Sequence, residues 1–209
     1  MRQARLSLFA IGLLAGISSA ASAQTLGLGR PTAGIFGGYS HPIGDLQETS
    51  GEGWHAGGLF KMRVYGMLDA RLDGTYTKFG RKHIPVDLAS GGTAVIHTSP
   101  AIEYGTLTAL VNMGPDSAAY PGDNSPAPYL FAGLGFYHLD FDFTCTGECQ
   151  GFPETNSENH PGVNIGFGVT APFAGIRTFL EGRYHRIMRN ADDGGARSFA
   201  TLSVGVKFR

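Results

Sequence analysis

Charged residues make up only 16% of this 209-residue chain, yet they recur at alternate positions. Asp69, Arg71 and Asp73 are spaced by two, and so are Arg177, Glu181, Arg183 and His185, with Phe179 filling the gap. Glu103 and Lys207 sit in stretches with the same alternation. Carboxylates near a histidine are the residue types of general acid–base catalysis. The spacing points to a different use. Successive side chains of a strand point to opposite faces, so each of these groups gathers both charge signs on one face. Ionisable groups enclosed by protein must pair with opposite charge. The expectation is therefore a charge-paired interior network of Asp69, Arg71, Asp73, Glu103, Arg177, Glu181, Arg183, His185 and Lys207, with no catalytic residue. Glu181 and Glu103 are the expected partners of the arginines.

A nucleophilic site would need a serine in reach of a histidine and a carboxylate. His185 and Glu181 share a face, but no serine stands beside them; Ser198 and Ser203 belong to the following segment. Cys145 and Cys149 form a C-x3-C pair without an accompanying histidine cluster, and the seven histidines are scattered. Metal binding by the cysteine pair is possible but not favoured, the scattered histidines suggest no metal site, and no cofactor is expected. A formal net charge of −1 offers no basic footprint for nucleic acid.

The segments that must position these residues begin after a targeting sequence. Met1–Ala23 has a basic start at Arg2 and Arg5, an apolar run over Leu6–Ile17 and an Ala21-Ser22-Ala23 cleavage site. The apolar run is short for a transmembrane helix, which needs about 20 residues. Removal would leave residues 24–209 as one domain in an oxidising compartment, where Cys145 and Cys149 are expected to form a small-loop disulfide.

Helix signals are poor, because 32 glycines interrupt nearly every segment. Strand signals are frequent. Eight strands are predicted: Ala33–Tyr39, Gly53–Met62, Met67–Phe79, about Thr93–Asn112, Pro128–Phe143, Gly162–Thr170, Ile176–Ile187 and Ser198–Arg209. Loops are predicted at Ser40–Gly53, Gly80–Gly92 and Thr144–His160. Short turns are predicted around Arg63–Gly66 and Ala171–Gly175. Met113–Ala127 is a long connection where a turn would be expected. In Pro128–Phe143 both faces are apolar at first, and the parity of His138, Asp140 and Asp142 is assigned to the interior.

A soluble barrel turns its apolar face inward, whereas a membrane barrel turns it toward lipid and keeps its polar residues inside. Charge on one parity and aliphatic residues on the other, repeated along the chain, favour the membrane. Alternating long and short connections fit the same choice. Tyr39, Trp54, Tyr76, Tyr129, Phe141, Tyr184 and Phe208 are expected in interfacial aromatic girdles. Unpaired strand edges are not tolerated in lipid, so the sheet must close. The expected fold is an all-β, eight-stranded antiparallel up-and-down transmembrane β-barrel.

Pro128-Tyr129-Leu130-Phe131-Ala132-Gly133-Leu134-Gly135, Phe179-Leu180-Glu181-Gly182-Arg183-Tyr184-His185 and the ending Leu202-Ser203-Val204-Gly205-Val206-Lys207-Phe208 resemble the small outer-membrane β-barrel family, the OmpA/OmpX-like proteins. The ending resembles the signal that such barrels show to the insertion machinery, except that Arg209 follows Phe208. The resemblance implies residence in the outer membrane of a diderm bacterium. It implies outer-membrane lipids and the barrel-assembly machinery as partners, and a structural or surface-interaction role carried by external loops. The external ligand is unknown. A narrow porin-like conduit is the alternative, and a lipid-modifying barrel enzyme a further one. OmpA itself adds a peptidoglycan-binding domain after the barrel; this chain ends at the barrel, so that role is not implied.

The cysteine pair gives a direct test. Unfolded without reductant, the exported protein should yield no titratable thiol, and two thiols per chain would reject the bond.

Overall fold

The computed structural model describes residues 31–87, 93–113, 125–146, 155–189 and 195–208. The targeting segment, Cys149 and Arg209 lie outside these residues, as does most of the Met113–Ala127 connection. Nine strands and one short helix follow in order: β1 (Thr32–Ile43), α1 (Asp45–Thr49), β2 (Gly51–Tyr65), β3 (Leu68–Gly80), β4 (Lys82–Asp87), β5 (Thr93–Asn112), β6 (Ala127–Thr146), β7 (Thr155–Phe173), β8 (Ile176–Ile187) and β9 (Arg197–Phe208). All pairings are antiparallel. The order runs β3-β2-β1-β9-β8-β7-β6-β5, and β3 then pairs β5, which closes an eight-stranded barrel. β4 stands outside the ring, paired with the far end of β5 from Lys82↔Thr98 to Asp87↔Thr93.

Three expected loops are therefore shorter than the sequence suggested. β4 occupies part of Gly80–Gly92, because Lys82–Asp87 finds a ladder on the overhanging end of β5. β7 starts at Thr155 against Asp142 of β6, within the expected Thr144–His160 loop. Within Ser40–Gly53, β1 continues to Ile43 and α1 follows. Leu46 of α1 is 0% exposed and packs among the aromatic residues that fill this end of the barrel. Lys82 Nζ donates to the Gln47 carbonyl and Thr98 Oγ1 to the Thr49 carbonyl, fixing the helix from β4 and β5.

One end of the barrel carries the tight connections. β2 and β3 meet at Gly66 and Met67, and β7 and β8 at Ala174 and Gly175. Ala174 and Gly175 both have positive φ, 50° and 79°. Two consecutive left-handed residues make the turn whose twist matches flanking antiparallel strands. The opposite end is long: β5 and β6 each have 20 residues and β7 has 19, against 12 in β8 and β9.

The alternation of each strand sorts the side chains. Leu72, Leu107, Leu134, Phe136, Ile165, Phe167, Leu180, Leu202 and Val204 cover the outer surface, where Phe136 is 75% exposed. Such a continuous apolar belt is what a hydrocarbon surround requires. The inward parity holds the polar and charged residues at mid-height, and aromatic residues toward the extended end. Tyr39, Trp54 and Tyr76 form an outward cluster, with the Trp54 and Tyr76 ring centroids 5.7 Å apart and Tyr39 opposite Trp54. Tyr184 and Phe208 are also outward.

Two expected girdle residues are not on the surface. Tyr129 and Phe141 are 2% and 4% exposed and point inward. The outward parity of β6 is the even one, Leu130, Leu134 and Phe136, so its odd aromatic residues must lie inside. Glycine makes the space for Tyr129 and its neighbour Phe131: a Cβ on Gly168 would collide with the Tyr129 ring and one on Gly166 with the Phe131 ring.

Leu180 and Glu181 are adjacent in sequence and lie on opposite faces. Leu180→Arg should destabilise the barrel by roughly 2–4 kcal/mol in lipid, the cost of a cation near the midplane. Urea unfolding in bilayers measures it. A lipid-phase thiol probe should label a cysteine at position 180 and spare one at 181.

Candidate functional site

β3 and β8 face each other across a narrow interior, and their inward residues meet there. Arg71 grips Glu181 with two parallel hydrogen bonds, Nη1 to Oε2 at 2.7 Å and Nη2 to Oε1 at 3.0 Å. Its Nε donates to Asp73 at 3.1 Å. Arg183 donates through Nη2 and Nε to Glu181 Oε1, at 2.7 and 3.1 Å, and approaches Asp73 Oδ2 at 3.3 Å. Two guanidiniums thus share two carboxylates, and charge is balanced locally. Charge-assisted forks of this kind are the strong members of the hydrogen-bond family.

Neutral residues complete the quartet. Thr106 Oγ1 donates to Asp73 at 3.1 Å, and Tyr129 Oη donates to Glu181 at 3.1 Å. Both guanidinium carbons lie over the Phe131 ring, at 5.0 and 4.8 Å from its centroid. Toward the turn end, Asp69 accepts from Lys61 at 2.5 Å, Arg63 at 2.9 Å and Asn112 at 2.9 Å. Lys207 Nζ donates to Thr170 Oγ1 at 2.8 Å and lies over the rings of Tyr129 and Phe179. Arg177 is the cross-strand partner of Lys207 at the rim.

Toward the extended end the lining turns aromatic. Among the described residues His185 has no charge partner; Tyr137 Oη is 3.0 Å from its Nδ1, and its ring stacks on Phe199 at 4.3 Å. His55 lies between Ser203 at 2.7 Å and Ser40 at 3.0 Å, all three buried. No carboxylate joins this chain among the described hydrogen bonds. Beyond it Phe79, Ile102, Tyr104, Leu139, Phe141 and Ile187 close the section with Leu46 of α1.

The structure thus brings together Asp69, Arg71, Asp73, Glu181, Arg183 and Lys207 inside the barrel, with Arg177 at the rim and His185 in the aromatic layer. Glu103 is not among them. The inward residues of β5 are Ile102, Tyr104, Thr106, Thr108 and Leu110, so Glu103 faces out, opposite Tyr76 and His138. Asp73 takes the place expected for it. His138, Asp140 and Asp142 also face out; Tyr137, Leu139 and Phe141 hold the interior parity. Lys61 and Arg63 were missed, although Lys61 continues the inward alternation of His55, Gly57 and Leu59. Thr106, Tyr129 and Phe131 carry no charge and gave no signal of their role. Cys145 is not a free thiol, and its expected partner Cys149 lies outside the described residues.

No protein-family model matches the sequence, nor does any curated protein. Among solved structures, neisserial surface protein A is similar over 86% of this chain and 97% of its own, with a TM-score of 0.52 at 15% identity. The chain has the fold of the small outer-membrane β-barrels. Two further barrels lie at lower similarity. Ail of Yersinia pestis covers 85% of this chain and 99% of its own at TM-score 0.47 and 12% identity. OprG of Pseudomonas aeruginosa covers 85% and 96% at 0.46 and 17%. At 15% identity the similarity to neisserial surface protein A is one of fold, and the internal residues are read from their own geometry.

In this small barrel the quartet is the buried polar contact with most to lose. Glu181→Ala strands Arg71 and Arg183 beside a single carboxylate, and such a break commonly costs about 3–5 kcal/mol. The urea midpoint of the refolded variant should fall accordingly, and Glu103→Ala, an outward change, should leave it nearly unmoved.

Proposed function

We propose that this chain is an integral outer-membrane barrel whose interior is a closed structural plug and whose activity is surface interaction at its extended end. The turn end then faces the periplasm and the extended end the exterior, the usual sidedness of short turns and long loops. One observation carries the reading. The eight-stranded section is crossed by the Arg71, Asp73, Glu181 and Arg183 quartet, with a buried aromatic layer above it. A barrel of this strand number has an interior just wide enough for side chains to fill.

The exterior supports the second half of the reading. β5, β6 and β7 rise past the apolar belt, with β4 alongside. Among the described residues, β4 pairs only with β5, and β7 from Thr155 to His160 pairs only with β6. Two sheet edges therefore present backbone donors and acceptors, and loops and edges on a rigid scaffold are where recognition concentrates. The outward face there carries Glu103, His138, Asp140, Asp142 and Asn159, a polar surface suited to contact outside the membrane.

Planar-bilayer recording distinguishes plug from conduit. The purified barrel should show no sustained ion current, and a stable open level would establish the conduit instead. Protease applied to intact cells should cut only at the extended end, while cuts confined to the tight turns would reverse the sidedness.

A further inference from the structure

Among the described residues, the carboxylates are spread unevenly along the interior. Arg71 and Arg183 are matched by Asp73 and Glu181. Lys61 and Arg63 both bond to the Asp69 carboxylate. Lys207 is 8% exposed, and no carboxylate lies within ion-pair distance of it among the described residues. Among the described residues its Nζ bonds to the Thr170 hydroxyl and lies over two aromatic faces. Lys61, Arg71 and Arg177 are close enough to repel it, and Glu181 attracts it from beyond ion-pair distance. An ammonium group held this far from water, beside other cations, is costly unless an anion accompanies it.

We propose that the turn end of the barrel interior is an anion-binding vestibule centred on Lys207, taking an oxyanion of the phosphate class. The ammonium keeps two donors beyond the one given to Thr170. The aromatic faces of Tyr129 and Phe179 fix its position without neutralising it. Lys61 and Arg177 line the approach: Arg177 is the direct cross-strand neighbour of Lys207, and Lys61 projects inward from β2, two strands further round. Phosphate chemistry reaches this mouth from two sources, a free periplasmic oxyanion or the headgroup of an inner-leaflet lipid; the periplasmic assignment rests on the sidedness proposed above, the binding itself does not.

The test uses the full mature barrel refolded in dodecyl maltoside, with unfolding by urea followed through Trp54, the single tryptophan. Inorganic phosphate is titrated at constant ionic strength against chloride. Phosphate at ten times its dissociation constant should raise the folded-to-unfolded ratio about elevenfold. Lys207→Met should abolish this shift and Lys207→Arg should keep it. A second arm replaces free phosphate with bicelles containing phosphatidylglycerol, compared with phosphatidylcholine alone. A shift with free phosphate identifies the soluble anion, and a shift only with the anionic lipid identifies the headgroup. No shift in the wild-type protein in either arm overturns the proposal, whatever Lys207→Met does. An equal shift in Lys207→Met overturns it too, since the anion would then be held elsewhere.

Discussion

Everything in this molecule depends on the requirement that backbone N–H and C=O groups in a hydrocarbon surround find partners within the protein. The β3–β5 ladder meets it, running from Leu68↔Val111 to Lys78↔Ala101 and turning an open sheet into a ring. Once the ring is closed, each strand has one face on lipid and one on the lumen, and a one-residue slip would exchange the two. The wrong register would expose Asp69, Arg71 and Asp73 to lipid together. The charges therefore hold the register of β3 as firmly as its hydrogen bonds do.

Charge inside the ring is an expensive way to fill space. Apolar residues of similar volume would often be as stable or more so. Geometry explains how the quartet persists: the Arg71 fork meets Glu181 squarely, Arg183 bonds to Glu181 and Asp73, Thr106 and Tyr129 supply further donors, and Phe131 supplies a flat apolar partner. The β3–β8 bridge from Arg71 to Glu181 also spans the section, tying strands that are not neighbours in the sheet. The aromatic rings beside it are admitted because Gly166 and Gly168 give up their side chains to the neighbouring Phe131 and Tyr129.

Much of this was legible in the sequence, and the failures share a cause. Alternation in Leu68–Tyr76 and Ile176–Ile187 showed which face was which, since within the belt the outside is apolar and the inside polar. Glu103, His138, Asp140 and Asp142 were assigned inward by that same rule. They stand where the rule no longer applies. Past Phe136 the outer face meets water, so polar residues face out and Tyr137, Leu139 and Phe141 turn in. The position where the outward parity of β6 changes from Phe136 to His138 was in the sequence, but a single rule for a whole strand could not show it. Tyr129 failed for another reason: an aromatic residue near a strand end fits a girdle or a lumen equally well, and only the glycines of the neighbouring strand decide between them.

Strand length accounts for that reversal of polarity. A strand rises about 3.3 Å per residue, so 12 residues tilted near 45° climb about 28 Å and 20 residues about 47 Å. An apolar band of about 25 Å uses up the shorter strands and leaves much of β5, β6 and β7 in water. A sheet in water needs an apolar interior face to stay together. The protruding end supplies it: Phe141 stacks with Phe143 at 6.1 Å, Arg197 lies over Phe141 at 4.4 Å, and Leu46 is driven in from α1. The molecule is thus one continuous sheet with two inside-out halves, a polar-cored barrel in lipid joined to an apolar-cored sheet above it. The aromatic layer of Tyr104, Tyr137 and His185 sits where the two meet, and it can satisfy both because its rings present apolar faces and polar edges.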